Sequence, residues 1–494
     1  MTAFSFRSLL FLFCLLIPAV CRSAESGTLC ILQTTDLHGE SGFFTRKSGL
    51  IRLASAIRRE RKTYGEESVL HIDCGDLLQG TFSAAQDFGE SMIGALNLLK
   101  CDVWVPGNHD FDFGTAVLAE RIRKFQGTVL AANLSFEKEA VPYRKWILFQ
   151  RAGFRIAVIG CVPPYLSHWL APSQMEGIHL KSVEEAVTEV MPEIERAAPD
   201  FLILAVHEGR FTADRLRKGK QQEPTIAALP EKFPRIRIIL GGHTHEEVIF
   251  DKFWPDTVYA QAPALAEGLA EVTVRKREGE LKIQSRILRA AEESPDPELL
   301  DYFRPKEQAN RKIMSVPAAY IPFALKPAQG KKPCLTSGLM AEAIRSGTGA
   351  DAAFCAASGH VSAGPGRLTE RDIFLLSPYE NVVRILTLTE EQTRSILEEQ
   401  LTQSGRAPIL QAAGLEYETG ERGRIRGHLL LGGTPWPAGK KARIAFSAFD
   451  AVGAGGRYPV LRRLSSECGA DTSFRVRELF RRFLMERYPE KDEK

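Results

Sequence analysis

Between residues 28 and 245, six short apolar runs (28–33, 69–72, 103–105, 155–159, 201–206 and 236–240) alternate with longer stretches of helical periodicity such as 50–61 and 183–196. Runs this short and this apolar predict strands buried on both faces. The amphipathic stretches between them predict helices packed on a sheet, so the pattern predicts an α/β layered fold. Farther on, the apolar/polar alternation over 260–288 predicts a closing hairpin that turns at Glu278, Gly279 and Glu280.

At 494 residues the chain exceeds one ordinary domain. Its texture changes after residue 290, where AEESPDPELLDYF is acidic, punctuated by proline and reads as a linker leading into a helix, and 324–333 is a second loose stretch. We read a first domain over 25–290, a linker over 291–335 and a smaller second domain over 336–488. Predicted helices at 337–345 and 390–401 and strands at 382–388 and 441–446 lie in the second domain. There are no internal repeats.

Residues 1–24 read as a signal peptide: one basic side chain near the start, an apolar run over 9–20, then small residues around Cys21 to Ala24. An uncleaved anchor and lipid attachment at Cys21 are the other readings. The apolar run is shorter than the roughly 20 residues that span a bilayer, so the expectation is an exported chain, periplasmic or secreted, without a membrane anchor after processing. With 64 basic and 61 acidic residues, net +3, the chain carries no footprint for a nucleic-acid polymer. Seven of its nine cysteines follow the targeting stretch; they include no CxxC and read as small buried residues. Oligomeric state is not legible.

Five segments, most of them directly after strand-like runs, carry polar residues able to hold metal. TTDLHG delivers Asp36 and His38, CGDLLQG delivers Asp76, GNHDFDFG delivers Asn108 and His109, VHEG delivers His207, and GGHTH delivers His243 and His245. Ligands in open α/β sheets bind beyond the carboxyl ends of strands, so these loops should converge. Residues two apart, as in D-x-H and H-x-H, can point the same way from an extended strand end. Imidazole and carboxylate together suit two divalent ions such as Zn, Mn, Fe or Co and argue against a thiolate site. Two ions roughly 3.5–4 Å apart can hold a hydroxide nucleophile and polarise a phosphoryl oxygen. His71, His168, His179, His360 and His428 lack such company and receive no metal role.

In this order and spacing the segments resemble the calcineurin-like metallophosphoesterase superfamily, and within it the bacterial periplasmic and animal ecto-5′-nucleotidase family. The resemblance covers roughly residues 28–460. It implies a four-layer α/β-β/α sandwich followed by a smaller α+β substrate-binding domain. It implies one metal on Asp36, His38, Asp76 and His245 and a second on Asp76, Asn108, His207 and His243, with a catalytic dyad of His109 and Asp112. The expected activity is release of phosphate from a small-molecule phosphoester, most simply a nucleotide. Alternatives with the same metal core are a 2′,3′-cyclic-nucleotide or nucleotide-sugar phosphodiesterase, or a sulfur-ester hydrolase. An intact ligand set speaks against a non-catalytic binding protein.

In the second domain, GADAAFCAASGHVSAGPGRLTERDIFLLSPYENVV, ILQAAGLEYE and AGGRYPV resemble the family's substrate-binding segments. Several specificity positions depart. The family's Asn falls on Cys355 or Ala356, its loop Arg on His360 or Val361 and its first base-stacking Phe on Ile409, and Gly456-Arg457 stands where an Asp is usual. The candidate substrate-binding residues are Tyr379, Asn381, Phe449, Arg457 and Tyr458. Phe446 is a further candidate ring, and Arg367 and Arg384 are further candidate phosphate-binding arginines.

Overall fold

The strand Leu29–Thr34 divides its side chains between two cores. Leu29 and Ile31 pack with Ile72, Val103, Val158, Ile203 and Leu240, whereas Cys30 and Leu32 pack with Leu53, Ile57 and Leu96 of the helices outside. Both faces are buried, which is why the run reads as continuously apolar. The computed structural model describes residues 27–490 except 46, 138–139, 210–225, 255, 328–333, 357–358, 360, 405–409 and 421–422. The expected signal peptide, His360 and Ile409 lie outside the described residues.

Two sheets face each other across the inner core. The first has seven strands in the order Glu280–Arg289, Gly268–Arg277, Leu29–Thr34, Val69–Asp73, Val103–Trp104, Thr128–Leu130 and Tyr143–Arg144. The second has six, in the order Val248–Trp254, Thr257–Gln261, Ile236–Leu240, Phe201–Val206, Phe154–Cys161 and Trp146–Arg151. Helices Leu50–Tyr64, Glu90–Leu98 and Thr115–Lys124 cover the outer face of the first sheet, and Val183–Ala197 covers that of the second. This is the expected four-layer sandwich. The predicted hairpin is present, with Glu278 and Gly279 both left-handed at its turn.

The central strands of each sheet run parallel. Their carboxyl ends therefore lie along one edge, and all five ligand-bearing segments leave from that edge.

The second part is α+β. Its five-stranded sheet has the order Gln411–Ala413, Ala352–Cys355, Ala442–Ser447, Val382–Leu388 and Gly469–Arg475. Helices Leu335–Thr348 and Val476–Arg487 pack on one face, and Glu390–Ser404 and Pro459–Cys468 pack on the other. The stretch expected as a linker is largely structured. It contains the 18-residue helix Pro297–Met314, capped by Asp296, whose Leu299 and Phe303 join the first core. Its Glu307 accepts hydrogen bonds from Ser41 and Ser83 of the first domain. Strand Pro317–Ile321 then pairs with Gly366–Thr369 of the second. The seven cysteines within the described residues are all free.

Candidate metal centre and dyad

Strand Leu29–Thr34 ends before its D-x-H motif, and the motif does not continue as strand. Asp36 and His38 both have positive φ, at 51° and 47°. Asp76, His243 and His245 do too, at 54°, 73° and 54°. The sequence reading of two ligands projecting from an extended strand end is thus corrected: five of the seven candidate ligands sit on left-handed backbone. Each such non-glycine residue costs on the order of 1 kcal/mol or more and persists only where its surroundings hold it. Here the loops are cross-tied. Asp36 N–H donates to Gly75 O (2.8 Å) and His38 N–H to Asp76 O (2.8 Å). Gly75 cannot carry a side chain, because a Cβ there would lie 2.3 Å from Gly107 N.

The ligand atoms of Asp36, His38 and His245 lie within 4.8 Å of one another, and those of Asp76, His207 and His243 likewise. The two groups adjoin. His38 Nε2 is 2.9 Å from His245 Nε2 and 3.7 Å from Asp76 Oδ2. His207 Nε2 is 3.1 Å from Asp76 Oδ2 and 3.8 Å from Asp36 Oδ1. Asn108 Oδ1 meets His243 Nδ1 at 2.8 Å.

The imidazoles are oriented for metal. His38 Nδ1–H donates to Gln79 O (3.0 Å) and His207 Nδ1–H to Cys74 O (2.5 Å), which turns both Nε2 lone pairs toward the carboxylates. His207 Nε2 is wholly buried and makes no aligned hydrogen bond. A buried nitrogen left without an aligned partner, facing two carboxylates, fits a divalent cation in this donor set.

Beside this cluster, His109 Nδ1–H donates to Asp112 Oδ2 at 2.8 Å. Asp76 Oδ1 accepts the His109 backbone N–H at 2.7 Å. Burial opposes charge on the His109 ring, but the Asp112 and Asp76 carboxylates outweigh it and raise the imidazole to about 9. Burial likewise works against the Asp76 carboxylate, yet His207, His109 and His38 around it hold it well below the usual range.

Several residues of this site were not singled out from sequence. Asp110, fully buried, accepts backbone N–H bonds from Gly107, Asp76, Leu77 and Leu78 and so ties two ligand loops together. Its signal was present in the acid-rich GNHDFDFG segment. Gln174 Nε2 donates to Asp112 O. Trp169 packs edge-on against His243, with centroids 4.6 Å apart, and nothing in SHWLAP marks it.

In the second domain, Tyr379 stacks on the His109 ring. Asn381 accepts Val476 N–H through its backbone oxygen. Phe449 is half-buried against the second core. Arg457 is exposed and follows the glycine turn whose Gly455 N–H donates to His168 O. Tyr458 departs from expectation: it is 1% exposed and belongs to the core, which leaves no ring face for a base. Phe446 stacks on Phe354 inside the same core. Arg384 is buried in bonds to Asp471, Ser465 and Gly469, and Arg367 pairs with Glu490.

Residues 30–247 match the calcineurin-like phosphoesterase family, and residues 316–463 match the 5′-nucleotidase C-terminal domain. Together with the paired ligand groups, this domain pair is that of a metal-dependent phosphoester hydrolase. The chain belongs to the calcineurin-like phosphoesterase superfamily and, within it, to the 5′-nucleotidase family. It is 25% identical over 270 residues to the 2′,3′-cyclic-nucleotide 2′-phosphodiesterase/3′-nucleotidase of Haemophilus influenzae, a match covering 50% of this chain and 39% of that protein. It is 23% identical over 487 residues to the 5′-nucleotidase of Vibrio cholerae, covering 87% and 86%. The crystal structure of a 5′-nucleotidase precursor from Thermus thermophilus superposes with a TM-score of 0.68 at 19% identity, covering 93% and 97%. That likeness concerns the fold.

Proposed function

We propose that the chain is an exported phosphomonoesterase of the 5′-nucleotidase type that releases phosphate from nucleotides with two divalent ions. The observation that carries this reading is the convergence of two adjoining ligand groups on the buried Asp76, with His109–Asp112 hydrogen-bonded beside them. Asp36, His38, Asp76 and His245 would hold one ion, and Asp76, Asn108, His207 and His243 the other. Zn, Mn, Fe or Co fits this mixed nitrogen and oxygen set. When bound, such a pair supplies Lewis acidity and a nucleophile at neutral pH.

The remaining work falls to the chain's own groups. Asp112 holds the Nδ1 proton of His109, which leaves Nε2 directed at the reacting centre. The charge that Asp112 and Asp76 sustain on this ring lets it stabilise the transferring phosphoryl group or protonate the leaving oxygen. Asp110 fixes the two loops that carry Asp76, Asn108 and His109. Positioning and charge account for most of the catalysis that phosphoryl transfer requires of a protein.

A second reading is phosphodiester hydrolysis, as the name of the Haemophilus influenzae relative says of that protein. The engagement of Arg384 in bonds within its own domain and the burial of Tyr458 remove two expected nucleotide contacts and leave the choice between the two readings to the substrate panel. The deciding experiment measures turnover of AMP, UDP-glucose, 2′,3′-cyclic AMP and p-nitrophenyl phosphate with Mn, Zn and Co. AMP as the best substrate supports the first reading. Preference for the cyclic ester supports the second, and no turnover of any of the four overturns both. Among the described residues no helix is long and apolar enough to cross a membrane. Export rests on residues 1–24, and N-terminal sequencing of protein recovered outside the cytoplasm tests it.

A further inference from the structure

We infer that Tyr379, delivered by the second domain, is a positioning residue for the His109 imidazole of the first. This rests on the reading of His109 as the imidazole of the catalytic dyad. The hydrogen bond from Nδ1 to Asp112 holds one edge of the ring and leaves the tilt of its plane to its neighbours. A flat group against the imidazole face fixes that tilt. Tyr379 is such a group: its ring lies 5.5 Å from the His109 ring at an interplanar angle of 22°, an offset stack. His38 meets the same imidazole edge-on at 5.3 Å. The three neighbours together hold the plane of His109.

The loop that carries Tyr379 is itself built. It joins helix Glu370–Leu376 to strand Val382–Leu388. Arg477 lies over the Phe374 ring and donates to Ser377 O (3.0 Å) and Pro378 O (3.2 Å). Arg477 also pairs with Glu380, whose other oxygen receives Arg475 at 3.1 Å. From the first domain, Gln79 Nε2 donates to Pro378 O at 2.8 Å. The backbone oxygen of the same Gln79 orients the His38 ring. Phe82 packs edge-on against Phe374 at 5.5 Å, closing the seam. One residue, Gln79, thus ties a candidate metal ligand to the loop that presses on the dyad. The second domain would therefore act on the chemical step as well as on substrate choice, through a ring face that needs no hydroxyl.

The test uses the full chain loaded with Mn and p-nitrophenyl phosphate, which has neither base nor ribose. Tyr379→Ala is expected to lower kcat about tenfold, because small misplacements of a catalytic group are costly. KM and metal content should stay within about twofold, and Tyr379→Phe should restore kcat to the same margin. Tyr379→Leu, which fills the space without a flat face, should behave like Ala; wild-type turnover in it overturns the proposal. So does a raised KM at unchanged kcat, which would make Tyr379 a substrate contact. Equal loss in Phe and Ala also overturns it, because the hydroxyl would then be needed. A second measurement uses no substrate. Carbethoxylation of His109 by diethyl pyrocarbonate, read by peptide mass, should be faster in Tyr379→Ala than in wild type and unchanged in Tyr379→Phe. Equal rates in all three overturn the stacking role. If the wild type turns over no phosphoester, the reading of the dyad fails while the labelling still decides the packing.

Discussion

Asp110→Asn tests how the ligand loops are held. The Asp110 side chain is 0% exposed and accepts four backbone N–H bonds. Oδ1 takes Leu77 and Leu78 at 2.9 Å each, and Oδ2 takes Gly107 at 2.7 Å and Asp76 at 3.1 Å. Asparagine keeps one acceptor oxygen. Whichever way the amide turns, its NH2 faces two N–H donors, so two bonds are lost and their donors stay buried. Bonds to a charged group contribute about 1.5–3 kcal/mol each, so the loss should be about 3–6 kcal/mol. Burial and the neighbouring Asp76 raise the Asp110 carboxyl to about 6; the comparison therefore belongs at pH 8, where it is ionised. Tryptophan fluorescence is the suitable probe. Trp104, Trp146, Trp169 and Trp254 all lie in the first domain and only Trp436 in the second. With a urea slope of about 3 kcal/mol/M, the midpoint should fall by about 1–2 M. Bound metal should fall with it, because the two loops carry Asp76, Asn108 and His109. A midpoint shift below about 0.3 M with both metals retained would refute the reasoning, since those N–H groups would then have other acceptors.

His109→Ala should reduce kcat on p-nitrophenyl phosphate by about 10² or more while elemental analysis still finds both metals; parallel loss of metal would remove the dyad assignment. Asp76→Asn should lower the metal content toward one ion or none, and undiminished two-metal occupancy would exclude a shared ligand. The Asp450 carboxyl is pushed up to about 6, chiefly by burial, against hydrogen bonds from Ser447 and Ala356. A raised carboxyl favours the folded state below the unfolded pKa of about 3.9, and that contribution is lost as pH rises through about 6. The wild type should thus forfeit up to about 3 kcal/mol across this window that Asp450→Asn does not, so the Tm of the variant should gain on wild type between pH 4 and 7; a gap independent of pH counts against it.

The strands were legible because both of their faces are buried, so Leu29 to Leu32 and Phe201 to Val206 read as apolar whatever the register. The candidate ligands were legible because few residue types do such chemistry and the parallel strands bring their loops to one edge. The backbone that carries them was not. Asp36, His38, Asp76, His243 and His245 adopt positive φ through cross-ties such as His38 N to Asp76 O, and those cross-ties are tertiary. Asp110 looked like one more acid in an acidic motif, since its role depends on four N–H groups from two separate loops. The proline-punctuated stretch AEESPDPELLDYF reads as a linker leading into a helix, and the helix Pro297–Met314 starts within it. Pro297 occupies the first turn after the Asp296 cap, where a missing N–H costs nothing.

The step from chemistry to substrate is harder for a physical reason visible at Gly455. Its φ is +70°, and a Cβ there would lie 3.0 Å from Trp169 Nε1. The conformation thus favours glycine, a Cβ there would press on Trp169, and Trp169 in turn rests on His243. The glycine turn of the second domain thus reaches the candidate metal centre through one indole ring. AGGRYPV marks one end of that contact in the sequence, but nothing marks Trp169, because a lone tryptophan is common and only its packing gives it meaning. Metal ligation is fixed by atom type and can be read residue by residue. The packing of Trp169, Tyr379 and the glycine turn against the candidate centre is instead written in contacts between two domains that no single motif encodes.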